Sequence, residues 1–147
     1  MKFLIVLVTY LAFAMADDTQ PLSADEFPVL TAYVKECRTE HKPTQEQFLI
    51  LINGEFENAD TQLKCFLNCF LEKNGLLVDG QIQPDVVLKK LLPLLGTEAV
   101  LGAQPECDSI KGSDNCDTAI KVYECYYKHD KIVHQLTLQY FKSKNLS

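Results

Sequence analysis

The chain has 147 residues, with 20 acidic side chains against 14 basic ones and a net charge of −6. That length suits one domain with a single core. An acidic chain without a basic cluster argues against nucleic acid as a partner and disfavours anionic membrane surfaces. Six cysteines, an even number, suit three disulfides in an oxidising compartment.

Met1-Lys2 is a short basic start, and residues 3–14 form an apolar run broken by Thr9 and Tyr10. Ala14-Met15-Ala16 places small residues at the A-x-A positions, and Asp17-Asp18-Thr19-Gln20 turns polar at once. This pattern predicts a signal peptide over 1–16, cleaved after Ala16. The run is short of the ~20 residues that a spanning helix needs, and no later stretch is apolar enough to span. The expectation is a domain over 17–147, secreted into extracellular fluid and without a membrane anchor. Lys2 leaves with the leader, so 13 basic residues then face 20 acidic ones and the net charge becomes −7.

Ser23-Ala24-Asp25-Glu26 is a capping box, with Leu22 and Phe27 set for a hydrophobic staple. Leu30, Tyr33, Val34 and Cys37 follow at i, i+3, i+4 and i+7, the apolar face of a first helix. Pro28 lies early in it and is expected to remove one backbone bond. A second box, Thr44-Gln45-Glu46-Gln47, opens the apolar run 48–52, and Gly54 is the expected stop. A strand would also bury so continuous a run; the box favours a short buried helix.

A third helix is predicted from Asn58 or Asp60 to Gly75, its buried face marked by Leu63, Phe66, Leu67, Phe70 and Leu71. Pro84 sits in the first turn of a fourth. Its inner face is Val87, Leu88, Leu91, Leu92 and Leu95, widened by Val86 and Leu94. Lys89 and Lys90 are its wet side, Pro93 is expected to kink it, and Gly96 ends it. A short turn is expected at 98–101. The fifth helix starts at Ser113 or Asp114 and runs past Cys125, with Ile120, Tyr123 and Tyr127 along it. The tail 131–147 fits a last helix and an extended segment about equally.

Six cysteines allow 15 pairings. There is no C-x-x-C pair, and the three histidines complete no ligand cluster, so neither a metal nor a cofactor is expected. Cys65 and Cys69, four apart on one helix, project about 40° from each other. Both face neighbouring elements and are poorly placed to pair together. Cys116 and Cys125, nine apart, leave opposite sides of the fifth helix, which therefore belongs inside the bundle.

In full, the spacing is C-x27-C-x3-C-x37-C-x8-C-x8-C. With the x3 pair on a helix, the long gap before the fourth cysteine and the closing x8, x8, the chain resembles the insect odorant-binding proteins of the six-cysteine type over essentially the whole mature length. The resemblance implies an all-α fold: a compact bundle of about six helices, cross-linked by three interlocked disulfides around an apolar cavity. It implies the pairs Cys37–Cys69, Cys65–Cys116 and Cys107–Cys125, and the helix geometry agrees with them.

The resemblance further implies a carrier of small hydrophobic ligands such as odorants or pheromones, delivering them through aqueous fluid to receptors. Candidate cavity walls are Phe66, Leu67, Phe70, Leu71, Leu76, Val78, Val87, Leu88, Leu91, Leu92, Leu95, Ile120, Tyr123 and Tyr127. It places Leu67, Tyr123 and the tail's Val133 nearest the family's pocket positions. Tyr123 is the candidate polar handle, its ring supplying area and its hydroxyl a bond to a ligand oxygen. The tail after the sixth cysteine is a candidate lid, and His129 and His134 are candidate pH-sensitive groups. An olfactory receptor and a second copy of the chain are the macromolecular partners in view.

Three other readings stand beside this one. A non-olfactory extracellular carrier of lipids or hormones shares the framework, and a purely structural or signalling partner-binder is the second. The third, a small secreted hydrolase, has His129-Asp130 as half of a base–orienter pair. But adjacent helical residues point about 100° apart, and no G-x-S-x-G, H-E-x-x-H or acidic Ca²⁺ loop occurs.

Overall fold

A computed structural model describes residues 26–95 and 97–129. The predicted signal peptide, the Ser23 box, Gly96 and the tail with Val133 and His134 lie outside them. The elements run α1 (Glu26–His41), α2 (Gln45–Asn53), a 3₁₀ turn (Phe56–Asn58), α3 (Thr61–Lys73), β1 (Leu77–Val78), β2 (Gln81–Ile82), α4 (Pro84–Leu95), α5 (Thr97–Cys107) and α6 (Asn115–His129). The expected all-helical bundle is there, with one small hairpin added. Among the described residues no helix is long and apolar enough to cross a membrane.

The helix ends follow their sequence signals. Thr44 accepts the Gln47 N–H at 3.2 Å, and Gly54 closes α2 in the left-handed region at φ 76°, its N–H donating to the Ile50 carbonyl. The Gln47 side chain does not complete the box. It accepts the Asp60 N–H at 2.8 Å and donates to the Asn58 carbonyl at 3.4 Å, because the chain doubles back after Gly54 and brings those groups within reach. Asp60 caps α3 through Leu63 N–H at 2.8 Å, and Asp114 caps α6 through Asp117 N–H at 2.7 Å. α1 is described from Glu26, and it runs through Pro28 without a break. α4 continues through Pro93 to Leu95.

Two elements differ from expectation. The short turn foreseen at 98–101 is part of an eleven-residue helix, α5, with Pro105 in its last turn. Its buried stripe is Val100, Ala103 and Cys107. Two of these three are small, so the amphipathic signal is weak, and Pro105 argues locally against helix. The hairpin pairs Leu77 with Ile82 and Val78 with Gln81. Asp79 and Gly80 turn it with φ of 50° and 74°, as a two-residue turn with both central residues left-handed requires. A Cβ on Gly80 would meet the Asn115 side chain at 2.4 Å.

The interior holds two clusters. The first joins α1, α2, the 3₁₀ turn, α3 and one side of α6, around Cys37, Phe48, Leu51, Phe56, Leu63, Phe66 and Ile120. The second joins α4, α5 and the other side of α6, around Val87, Val100, Ala103, Val122 and Tyr126. The disulfides are Cys37–Cys69, tying α1 to α3, Cys65–Cys116, tying α3 to α6, and Cys107–Cys125, tying α5 to α6. As the nine-residue spacing required, α6 is fastened on both sides and serves both clusters.

Candidate functional site

The sequence-derived wall residues sort into three groups by burial. Phe66, Leu67, Leu71 and Ile120 are buried in the first cluster, and Val87 is buried in the second. Phe70, Leu76, Tyr123 and Tyr127 pack against the first cluster but remain half-buried; Leu88, Leu91 and Leu92 do the same against the second. Leu76 belongs to the margin of both, as does Ile82. Val78 is a correction. It stands on the outer side of the hairpin, 53% exposed, because alternation in a strand sends its neighbour Leu77 inward instead. Val133 and the Leu95 side chain lie outside what is described.

The half-buried set carries the chemistry of the interior. Its α6 side is aromatic. Phe56 meets Tyr127 edge-on at 5.1 Å and Tyr123 at 5.8 Å, and the two tyrosine rings lie 6.3 Å apart. The α3 side continues it, with Phe66 stacked on Phe70 at 6.5 Å and Phe48 edge-on to Phe66 at 5.0 Å. The α4 side is aliphatic.

Tyr127 spends its hydroxyl on structure. It donates to the Ile52 carbonyl at 3.2 Å, a helix-end acceptor with no intrahelical partner. Its ring covers Gly54, where a Cβ would sit 3.0 Å from Cε1, and burial raises its pKa. Tyr126, on the side of α6 that meets the second cluster, donates to Asp108 at 2.7 Å; burial first, then the carboxylate, raise its pKa well beyond the ordinary phenol range.

Two residues of this region were missed from sequence. Phe56 is a lone aromatic in a loop, and no periodic pattern marks it. Ile82 had a signal: Asp79-Gly80 between Leu77-Val78 and Gln81-Ile82 is the signature of a two-residue hairpin, which carries Ile82 inward opposite Leu77.

The remaining polar groups organise the ends of helices. Asp117 accepts from Lys121 (2.9 Å), the Ser113 N–H (2.9 Å) and Lys64 (3.3 Å), and these bonds hold its carboxyl well below the usual range. His129 Nε2 lies 2.6 Å from a Glu106 carboxylate oxygen, so it fastens α6 to α5, while Asp130 lies outside the described residues. It is also near the Cys107 and Cys125 sulfurs, while Glu40 and His41 are near Cys69. In both clusters every sulfur is already bonded in a disulfide and supplies no thiolate. An open recess on the outside of α1, lined by Ala32, Lys35, Glu36, Thr39 and Glu40, is charged and separate from the apolar interior.

Comparison with known proteins adds an independent finding. Residues 22–129 match the PBP/GOBP family. The chain is 40% identical over 105 residues to general odorant-binding protein 56a of Drosophila melanogaster, covering 71% of this chain and 76% of that one. It is 30% identical over 109 residues to odorant-binding protein 10 of Aedes aegypti, covering 71% and 77%. Among solved structures, the fatty acid binding protein OBP56a from the oral disk of the blowfly Phormia regina aligns with a TM-score of 0.63 and 38% identity, over 75% of this chain and 96% of that one. The medfly odorant-binding protein CcapOBP22/CcapOBP69a aligns at 0.62 and 26%, over 76% and 97%.

Proposed function

The chain belongs to the PBP/GOBP family, and on that premise we propose that it is a secreted, non-enzymatic carrier that holds one small hydrophobic molecule in its apolar interior and delivers it through aqueous fluid to a receptor. One observation carries the reading: apolar side chains from α3, α4 and α6 lie half-buried at the margins of two separate cores, where a fully packed bundle would bury them. A carrier needs such partly open apolar side chains to meet its ligand. The disulfides offset contacts that a hollow forfeits, each by about 2–4 kcal/mol.

The energetics suffice without catalysis. Burying about 300 Å² of ligand at ~25 cal/mol per Å² gives about 7–8 kcal/mol, which corresponds to a micromolar constant before losses. Tyr123, beside Phe56, is the proposed polar handle for a ligand hydroxyl or carboxyl. The name of the blowfly relative favours fatty acids as a cargo class alongside odorants. Val133 and the tail as a lid, with His134 as a pH-sensitive group, and homodimerisation belong to the same proposal.

The test is titration of the oxidised protein with N-phenyl-1-naphthylamine, followed by displacement with long-chain alcohols, esters and acids. Micromolar binding and competitive displacement are expected. A flat titration, with the three disulfides verified by peptide mapping, overturns the carrier reading. Secretion is checked by the mature N-terminus, expected at Asp17.

A further inference from the structure

Asparagine followed by glycine occurs twice, at Asn53-Gly54 and Asn74-Gly75. Such a pair has a chemistry of its own. The glycine amide nitrogen attacks the asparagine side-chain carbonyl carbon, because no Cβ hinders its approach. A bond forms from the glycine nitrogen to Cγ, and ammonia leaves with the proton that the amide gives up. Water then opens the resulting succinimide at one of its two carbonyls, giving aspartate or isoaspartate. The folded backbone controls the first step, since ring closure needs the asparagine side chain and the following amide released from their hydrogen bonds.

The two pairs sit in unlike surroundings. Asn74 caps the C-terminus of α3 and is buried. Its Nδ2 donates to the Phe70 carbonyl at 2.8 Å, and the Gly75 N–H donates to the Glu72 carbonyl at 2.8 Å. The next amide, Leu76, donates to the Leu71 carbonyl at 3.0 Å and leads into the hairpin, where Leu77 is buried. Closing a ring at Asn74 therefore requires opening the junction between α3 and β1. Asn53 is the last residue of α2 and is exposed. Gly54 and Glu55 both donate their N–H to the Ile50 carbonyl, at 2.9 and 3.2 Å, a last-turn arrangement that a fraying helix end releases.

Gly54 is also the seat of Tyr127. A Cβ there would sit 3.0 Å from the ring Cε1, and the Tyr127 hydroxyl donates to the Ile52 carbonyl at 3.2 Å. Isoaspartate routes the backbone through the side-chain carbon and lengthens it by a methylene between these two contacts. It also leaves a carboxylate at the C-terminus of α2, where the helix dipole disfavours negative charge.

We propose that Asn53 is a site of spontaneous deamidation in the folded protein, that Asn74 is shielded from the same reaction, and that isoaspartate at Asn53 unseats Tyr127 from the end of α2. The proposal is independent of what the interior carries.

The test incubates the oxidised protein in mildly alkaline buffer, and the reduced protein in concentrated urea, with peptide mapping to locate each amide-to-acid mass gain. In buffer Asn53 is expected to convert about tenfold faster than Asn74, because freeing Asn74 breaks a further hydrogen bond in a buried junction. In urea the two are expected to convert at similar rates, since the fold no longer separates them. Enzymatic methylation of the isoaspartate carboxylate identifies that product. Asn53→Gln is expected to remove the fast mass gain. The isoaspartate fraction, isolated by anion exchange, is expected to melt about 3–6 °C below fresh protein, from the lost Tyr127 and cap bonds.

Equal conversion of Asn53 and Asn74 in buffer overturns the assignment, and so does the absence of conversion at Asn53 in buffer. A fast mass gain that persists in Asn53→Gln overturns it as well. An isoaspartate fraction that melts with the fresh protein overturns the coupling to Tyr127.

Discussion

Among the described α-helices, α2 and α4 are the two without a cysteine, and they meet opposite fates. α2 presents Phe48, Ile50, Leu51 and Ile52 to the first core and buries all four. α4 presents a comparable apolar face and buries only Val87 among its described inner residues, leaving three leucines partly open. Their sequences are about equally apolar, so composition does not separate them. The difference lies in neighbours. α2 is enclosed by α1, α3 and the 3₁₀ turn, and its two ends are fastened by Thr44 and Gly54, while α4 leans chiefly on α5.

The comparison breaks or holds on core truncation first. Phe48→Ala is expected to cost about 3–5 kcal/mol, and Leu92→Ala about 1 kcal/mol, since only part of that side chain leaves water. Urea denaturation of the two variants measures both. Equal losses would make α4 as much a part of the core as α2 and erase the distinction.

A smaller effect is expected at Asp117, which fastens the start of α6 and ties it to Lys64 on α3. Asp117→Asn is expected to cost about 1.5–3 kcal/mol at neutral pH, through lost charge-assisted bonds. The folded-state pKa is depressed, so the stabilisation is present above the unfolded carboxylate value near pH 4 and is lost as pH falls below it. The gap between the variant and the parent should therefore close in acid. A gap that persists at low pH would assign the loss to shape and not to charge.

Smaller again are the fastenings of α2. Gly54→Ala forces a side chain into the left-handed region and against the Tyr127 ring, an expected cost of about 1–2 kcal/mol. Thr44→Ala removes one cap, about 1 kcal/mol. Thermal melts check both. The Gly54 variant should also shift Tyr127 and alter probe affinity, whereas the Thr44 variant should leave affinity unchanged.

Much of the fold was legible because its signals are local. Thr44, Asp60, Asp114 and Gly54 mark helix ends by chemistry that acts within four residues, and the spacing of Cys116 and Cys125 dictates opposite faces of one helix whatever surrounds it. The candidate site was legible only in part. Phe66, Leu67, Phe70 and Tyr123 fall where helical periodicity puts them, while Val78 was misplaced and Ile82 missed. A two-residue strand shows no period, and its inward face is decided by the register Leu77–Ile82.

The sequence by itself determined which segments coil and where they stop, and its six cysteines fell in the spacing that marks the family. Only the tertiary structure decided that α5 is a full helix, that Phe56 joins Tyr123 and Tyr127, that the Tyr127 hydroxyl is taken by a carbonyl 75 residues away, and that the core divides in two across α6. The physical reason is one of range. Capping and periodicity are properties of neighbours along the chain, whereas how completely an apolar side chain is buried depends on how closely helices distant in sequence cross. That separation fixes which leucines of α4 stay partly open.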